Sequence, residues 1–219
     1  MSKNHSMTTG LAVIKNALYG ALNNDDILNA VIPYGYTADV LRNEGIAKHE
    51  LAESLALKVI KEYGEQFSAT EKTAQLFGAY QPAYMDIIRL ARIGLKNMSG
   101  ALHSLRATGS RNRSLTGFIK DARVLYTNLL EQPDYLEAVK RFGITEENLR
   151  LALDDINRLE SSYHEFLKEK GEAQSSTIAR DQAYDDLYNW YSDFRAVARI
   201  ALKKQPQLLE KMGIVVKNN

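Results

Sequence analysis

The sequence predicts an all-α protein, an antiparallel helical bundle made from a tandem duplication of a helical unit of roughly 105 residues. Apolar residues recur every three or four positions along the long segments, and we find no sustained apolar/polar alternation of strand length. The chain contains 4 Pro and 13 Gly, which favours long regular helices. The duplication is indicated by YMDIIRLARIGLK (84–96) and YSDFRAVARIALK (191–203), which agree at seven of thirteen positions.

The composition resembles that of ordinary soluble proteins and excludes several functional classes. The net charge is +1 over 219 residues, so neither a basic nucleic-acid module nor an acidic tail is expected. The chain has no Cys, which excludes disulfides, thiolate metal sites and cysteine nucleophiles. No run approaches the roughly 18 apolar residues of a membrane span, and the N-terminal MSKNHSMTTG lacks the apolar core of a signal peptide. We therefore expect a cytoplasmic protein that is not bound to a membrane.

The first repeat, residues 1–108, is predicted to begin with a polar, mobile tail over residues 1–8. A helix follows over residues 9–22, where apolar residues recur at helical spacing. Asn24 is expected to cap a short second helix, and Thr37 is expected to cap a long third helix, because both side chains can accept a hydrogen bond from a backbone N–H of the first turn.

The third helix is expected to end near Tyr63, with Gly64 as its C-terminal cap. The S-x-x-E pattern from Ser68 to Glu71 then predicts a capping box and the start of a fourth helix. Pro82 is expected to kink or split that fourth helix. The apolar stripe predicted for the third helix contains Val40, Ala47, Leu51, Leu55, Val59 and Tyr63.

The second repeat, residues 109–219, is predicted to have the same order of elements. DYLEAVKRFGIT (134–145) aligns with DILNAVIPYGYT (26–37) at a shift of 108, and GEAQSST (171–177) aligns with GEQFSAT (64–70) at a shift of 107. A helix over residues 116–130, a helix capped by Thr145, a turn at 171–177 and a short last helix after Pro206 are expected.

Tight glycine turns between the long helices predict one antiparallel hairpin in each repeat, and two hairpins would share a four-helix core. The alternative is two separate bundles joined by TGSRNRS (108–114), where the apolar stripe fails. Aromatic residues on several sides of the last long helix favour the joined bundle, since such a helix needs neighbours on several sides.

The aromatic residues on the fourth helix of each repeat are the first candidate site. An apolar pocket with hydroxyl groups would suit a small molecule, although buried core tyrosines would leave the same pattern. The candidate ligand-binding residues are Tyr80, Tyr84, Tyr188, Trp190 and Tyr191.

The second candidate set is the polar residues that both copies of the thirteen-residue stretch contain. These are Asp86 and Arg92 in the first copy and Asp193 and Arg199 in the second. Six positions separate each acid from its arginine, which is too far for a pair along one helical turn. We expect pairing across the repeats, with the arginine heads bonded to carboxylates or carbonyls.

Metal and nucleophile chemistry receive little support. His49 with Glu53, and Glu160 with His164, have i,i+4 spacing that could hold a metal, but surface pairing is the simpler interpretation. Neither the E-x-x-H nor the H-E-x-x-H motif occurs, nor do the common nucleophile and phosphate-binding motifs. No cofactor or metal is therefore expected.

The basic residues around the predicted linker are a possible nucleic-acid contact, but we interpret them as a solvated linker because no aromatic residues lie among them. They are Arg106, Arg111, Arg113, Lys120 and Arg123.

ARIALKKQPQLLEKMGI (198–214) resembles the ending of an uncharacterised family of bacterial all-helical proteins with no assigned activity. The resemblance covers the C-terminal third and implies no catalytic residues. Three functions follow as expectations. The first is a non-enzymatic structural or interaction protein that binds itself or a protein partner; the alternatives are a small-molecule-binding bundle and a metal-dependent enzyme.

Overall fold

The computed structural model of the protein describes residues 3–215, and the side chains of residues 7–215. All regular elements in this part of the chain are helical and none is a strand, which confirms the predicted all-α class. The α-helices are α1 (Lys3–Leu22), α2 (Asp25–Val31), α3 (Ala38–Val40), α4 (Ala47–Gly94), α5 (Ser99–Ser104), α6 (Leu115–Glu131), α7 (Pro133–Lys140), α8 (Glu146–Ala201) and α9 (Gln207–Glu210).

The predicted capping residues explain where three helices begin. The side chains of Asn24, Thr37 and Thr145 each accept a hydrogen bond of 3.2 Å from the backbone N–H three residues later. These bonds satisfy donors that have no partner inside the first turn of a helix. The starts of α2, α3 and α8 are therefore fixed by local chemistry, as predicted.

The predicted turns at Gly64 and Gly171 are wrong. Helix α4 runs through Gly64 and is 48 residues long, and α8 runs through Gly171 and is 56 residues long. The hydroxyl of Ser68, the expected cap, donates to the carbonyl of Gly64 at 3.0 Å, which is the i−4 bond of a serine inside a helix. Helix α4 also continues through Pro82 without being split. Two single helices therefore replace the two expected hairpins.

Two further features differ from the sequence prediction. Helix α1 begins at Lys3, so residues 3–8 are helical rather than a mobile tail, while residues 1–2 lie outside the described residues. Residues Leu41–Ile46, between α3 and α4, form a π-helical turn. Such turns hold one extra residue and change which side chains face the neighbouring helix.

The chain divides into two compact units. Unit 1 contains residues 3–63 and 172–215 of the described chain, and unit 2 contains residues 64–171. The division does not follow the predicted repeats, because each unit combines part of the first repeat with part of the second. Residues 108–114, the expected junction between separate bundles, lie inside unit 2.

The core of unit 1 is formed mainly by α1 and the C-terminal part of α8, with α2 and the chain after α9 packed against them. Successive turns of each helix place apolar side chains on one face, and burying that face drives the packing. The fully enclosed side chains include Ile14, Leu18, Ile27, Leu41, Leu187, Phe194 and Met212.

The core of unit 2 has α6 against the C-terminal part of α4, with α7 and the N-terminal part of α8 completing it. Successive contacts pair later residues of α4 with earlier residues of α8: Lys72 bonds Glu165 at 2.7 Å, and Tyr80 lies beside Asp155. The enclosed side chains include Ile88, Leu95, Leu105, Leu125, Tyr126, Leu129 and Leu149.

Turns of unusual backbone geometry recur at positions that the repeat alignment matches. Gly35 and Gly143 have φ angles of 90° and 81°, and both follow a short helix. Arg106 and Gly213 have φ angles of 49° and 70°, and they follow α5 and α9. Positive φ is uncommon for a residue with a Cβ, so the turn at Arg106 is held by other contacts.

Candidate functional site

The predicted tyrosines of α4 lie in unit 2. Tyr84 is buried, and its ring meets Phe118 at 5.0 Å and Tyr126 at 6.3 Å between centroids, edge to face in both cases. Burial raises the pKa of Tyr84. Tyr80 is half-buried, and burial together with the neighbouring Asp155 carboxylate raises its pKa. Tyr84 is therefore part of an aromatic core cluster.

Trp190 belongs to an aromatic cluster in unit 1. Its ring stacks on Phe194 and meets the edge of Tyr36, both at 5.7 Å between centroids. The indole Nε1 donates to the Glu44 carboxylate at 3.0 Å. Because Glu44 lies in the π-helical turn, this bond connects the turn to α8.

Gly45 of the same turn allows Trp190 to approach. A Cβ at Gly45 would lie 2.6 Å from Trp190 Cη2 and 2.7 Å from Leu18 Cδ2, which is inside the closest contact that carbon atoms tolerate. The π-helical turn therefore places a residue without a side chain where the indole ring packs. Sequence reasoning missed this contact, since the turn leaves no signal in the apolar spacing.

The remaining predicted ligand-binding residues differ in burial. Tyr191 is buried in the core of unit 1, and the Arg195 guanidinium lies 5.6 Å from its ring centroid. Tyr188 is exposed, and it stacks on Tyr184 at 6.3 Å between centroids. Tyr84 and Tyr191 thus lie in the cores of different units, and the aromatic pocket between the repeats stays a prediction.

In the first copy, Asp86 and Arg92 form hydrogen bonds with groups of their own repeat. Asp86 accepts from Arg89 at 3.0 Å, one turn along the same helix. Arg92 donates through Nε to the carbonyl of Ala107 and through Nη2 to that of Gly109 at 3.2 Å. Arg92 therefore fixes the chain that leaves α5, which is a structural role.

In the second copy, Asp193 and Arg199 are exposed. Burial raises the pKa of Tyr36, and the charge of Asp193 raises it further. Burial also raises the pKa of Tyr191, an effect that the charges of Arg195 and Arg199 oppose. Pairing of the polar set across the repeats stays a prediction.

The interpretation of His49 as a surface residue is wrong. His49 is buried, and its Nε2 lies 3.0 Å from the carbonyl of Leu11, so this nitrogen donates. Its Nδ1 is 3.9 Å from the Glu53 carboxylate. Neither His49 nor His164 belongs to a group of metal-ligating side chains within residues 7–215.

The basic residues around 108–114 are partly folded back onto unit 2. Arg111 donates to the carbonyls of Arg106 and Thr108, and the Arg106 head bonds Asp121 at 3.0 Å. Arg123 bonds the side chain of Glu160 on α8. Arg106, Arg111 and Arg123 therefore already have partners inside the protein, although their side chains remain partly exposed.

An apolar face on α4 was not recognised from the sequence. Leu57 and Ile60 are 65% and 71% exposed, and the neighbouring Tyr63 is half exposed. Val59 and Ala52 of the same helix are buried. The predicted buried stripe of this helix is thus wrong for Ala47, Leu51 and Tyr63. We call Leu57, Ile60 and Tyr63 the α4 face.

No protein-family model, curated protein or solved structure matches this chain. The resemblance of residues 198–214 to a bacterial family therefore stays an expectation. Within residues 3–215, no helix combines the length and the apolar character that crossing a bilayer requires.

Proposed function

We propose that the fold is a tandem duplication in which each compact unit contains half of each repeat. The support is that positions matched by the repeat alignment have similar environments. The turns after α5 and α9 contain matching backbone bonds, Ala107 to Leu102 at 2.8 Å and Ile214 to Leu209 at 3.0 Å. Pairs buried in both repeats are Leu11/Ile119, Leu18/Tyr126, Ala21/Leu129, Val31/Val139, Leu41/Leu149, Tyr84/Tyr191, Ala91/Ala198 and Leu95/Leu202.

Compensating side-chain sizes also support this relationship. In unit 2 the rings of Phe77 and Phe118 meet at 5.0 Å between centroids. The equivalent residues of unit 1 are Tyr184 and Gly10, and a Cβ on Gly10 would lie 2.0 Å from the Tyr184 hydroxyl. A larger residue in one helix is thus matched by a smaller residue in its neighbour. In unit 2, later residues of α4 contact earlier residues of α8. This order supports an antiparallel arrangement of the two helices.

We propose that the protein is a non-enzymatic helical interaction protein that associates with a second copy of itself through the α4 face. The exposed apolar side chains of this face carry the proposal, because an apolar stripe on a helix is stabilised by covering it. The net charge of +1 gives little repulsion between copies.

Two copies of α4 can cover each other in an antiparallel pair about a twofold axis at Ile60. Leu57 and Tyr63 lie at equal distances along the sequence on either side of Ile60, so Leu57 of one copy would face Tyr63 of the other. Ile60 would face its own counterpart. A twofold interface of this kind is self-complementary and closed, as in most homodimers.

The test is the mass of the full-length protein in solution as a function of concentration, measured by sedimentation velocity. We expect a reversible dimer for the unchanged protein. Ile60→Glu should weaken dimerisation by at least about tenfold, because two carboxylates would meet at the twofold axis without an opposite charge.

Ile178→Glu is the matched control, since Ile178 on α8 is also 71% exposed but lies outside the α4 face. The control should dimerise like the unchanged protein. A monomer at all concentrations, or equal loss of dimer in both variants, would contradict the proposal.

A cytoplasmic location remains part of the proposal, and the lack of Cys is compatible with it. The aromatic-pocket and metal-enzyme alternatives also remain predictions. No contact among the described residues favours them over association through the α4 face.

A further inference from the structure

A strongly basic stretch of unit 2 has no part in the proposed association. Residues 87–120 contain seven Lys and Arg residues and no Asp or Glu, although the whole chain has a net charge of only +1. Asp86, just before the stretch, is bonded to Arg89. Asp121, just after it, is bonded to Arg106. No other Lys or Arg of this stretch forms an ion pair with an acid among residues 7–215.

Two of these cations, Arg92 and Arg111, converge on one carbonyl oxygen of the loop after α5. The Nη2 atoms of both residues lie 3.2 Å from the carbonyl oxygen of Gly109 and donate to it. Other N–H groups of the two heads donate to the carbonyls of Ala107 and Thr108. Carbonyl groups orient a guanidinium but carry no net charge, so the two positive charges repel each other at short range.

The same loop has two further unfavourable features. The Nε–H of Arg111 is buried and has no acceptor in hydrogen-bonding geometry among the described residues, whereas buried donors in native proteins nearly always have one. Arg106 has a positive φ of 49°. Burial raises the pKa of Tyr84, and the Arg111 guanidinium opposes that rise because it lies beside the phenol hydroxyl. Unfavourable charge and geometry that are concentrated in one loop are typical of a functional site.

We propose that Arg92 and Arg111 bind a small phosphate-bearing anion at this loop. An anion with two negative charges would neutralise both cations, and phosphate oxygens match the paired N–H groups of a guanidinium. Arg92 is exposed, and its Nη1 makes no hydrogen bond to the described residues, so this nitrogen is available to the phosphate. Arg111 is half-buried and contributes mainly through its charge. The proposal does not depend on dimerisation, because the α4 face belongs to unit 1.

The first test is isothermal titration calorimetry of inorganic phosphate into the full-length protein at about pH 8, where phosphate carries close to two negative charges. A background of about 0.1 M chloride screens distant charges. We expect saturable binding of one phosphate per chain, and acetate, with a single charge, should bind at least about tenfold more weakly. A parallel titration with methyl phosphate shows whether free phosphate or a phosphate monoester binds more tightly.

Two variants test the location of the site. Arg92→Gln should weaken phosphate binding at least about tenfold, because it removes both a charge and the exposed donors. Arg113→Gln is the matched control, since it removes the same charge from the same loop at an exposed residue that does not bond to Gly109. The control should weaken binding by less than about threefold. Circular-dichroism melting would establish that both variants are folded.

Chemical modification tests the unchanged protein and does not depend on the folding of any variant. Phenylglyoxal reacts with arginine heads, and peptide mass spectrometry locates the product. Phosphate at about twice its Kd should slow the modification of Arg92 about threefold and leave that of Arg113 unchanged. Absence of saturable phosphate binding, equal weakening in the two variants, or equal protection of Arg92 and Arg113 would overturn the proposal.

Discussion

At the scale of single residues, buried tyrosines are the clearest source of pH dependence. Tyr126 is enclosed in the core of unit 2 beside Tyr84, and burial raises its pKa above the ordinary value of 10.0. The folded state therefore keeps the phenol protonated at pH values where the unfolded chain loses the proton. The stability that this tyrosine contributes is fully present below pH 10 and falls as the pH rises above it.

Tyr126→Phe should make alkaline unfolding less steep. Each tyrosine held neutral in the folded state contributes a slope of about 1.4 kcal/mol per pH unit above the unfolded pKa. Urea unfolding followed by circular dichroism between pH 7 and 11 would measure the slope. Tyr34→Phe removes an exposed hydroxyl and is the control; an equal change in both variants would contradict the assignment to burial.

At the scale of helices, the spacing of apolar residues and the capping residues predicted most of the helices. They did not predict that α4 and α8 are continuous. Gly64 and Ser68 have the local features of a helix end and a helix start, and these features are compatible with a helix interior at a modest cost. Glycine inside a helix costs only about 0.5–1 kcal/mol relative to alanine, which packing along the helix can offset. Local sequence contains no direct measure of that packing.

Gly64→Ala and Gly171→Ala test whether these residues are helical. Apart from the adjacent residues and the backbone of the helix itself, no atom lies within 4 Å of the Cβ that alanine would add at either position. Each substitution should therefore raise the free energy of unfolding by about 0.5–1 kcal/mol, measured by urea denaturation.

Gly35→Ala provides the opposite control, since Gly35 has a φ of 90° and alanine should be destabilising there by about 1 kcal/mol. A turn at Gly64 with positive φ would reverse the expected sign for Gly64→Ala.

The burial of Arg180 in unit 1 also lay beyond what the sequence could predict. Arg180 lies in a polar run, QSSTIARDQ (174–182), where a charged residue is normally solvated. Its burial depends on neighbours from α1 and α4, and long-range proximity of that kind has no signature in local spacing. The difference between Arg180 and the equivalent Thr73 was the one available signal.

At the scale of the whole molecule, the proposed duplication predicts that a pair of side chains packed together in one unit can be replaced by the equivalent pair from the other unit. Unit 1 combines Gly45 with Trp190, and the equivalent positions of unit 2 hold Leu153 and Ala83. A large residue in one position is thus accompanied by a small residue in the other.

Gly45→Leu alone should destabilise the protein by about 1–3 kcal/mol or more, since the new side chain would overlap Trp190. Adding Trp190→Ala should recover at least about 1 kcal/mol of that loss, a coupling typical of residues in contact. Urea denaturation of the two single variants and the double variant measures the coupling.

The control repeats the cycle with Gly20→Ala in place of Gly45→Leu, because a Cβ on Gly20 would meet the carbonyl of Lys211 rather than Trp190. The losses in the free energy of unfolding caused by Gly20→Ala and by Trp190→Ala should be additive. If Trp190→Ala also adds to the loss caused by Gly45→Leu, the two positions do not compensate each other.

The division of the chain between the units has a consequence for biosynthesis. Unit 2 is one uninterrupted stretch, whereas the two portions of unit 1 are separated by the whole of residues 64–171. On the ribosome, unit 2 can form as soon as Gly171 has emerged, but the portion of unit 1 that ends at Tyr63 must wait for α9 and the chain around it. During that interval α1 can pack only against α2 and the π-helical turn, and the apolar surface that α8 covers in the folded protein stays open to association with other chains.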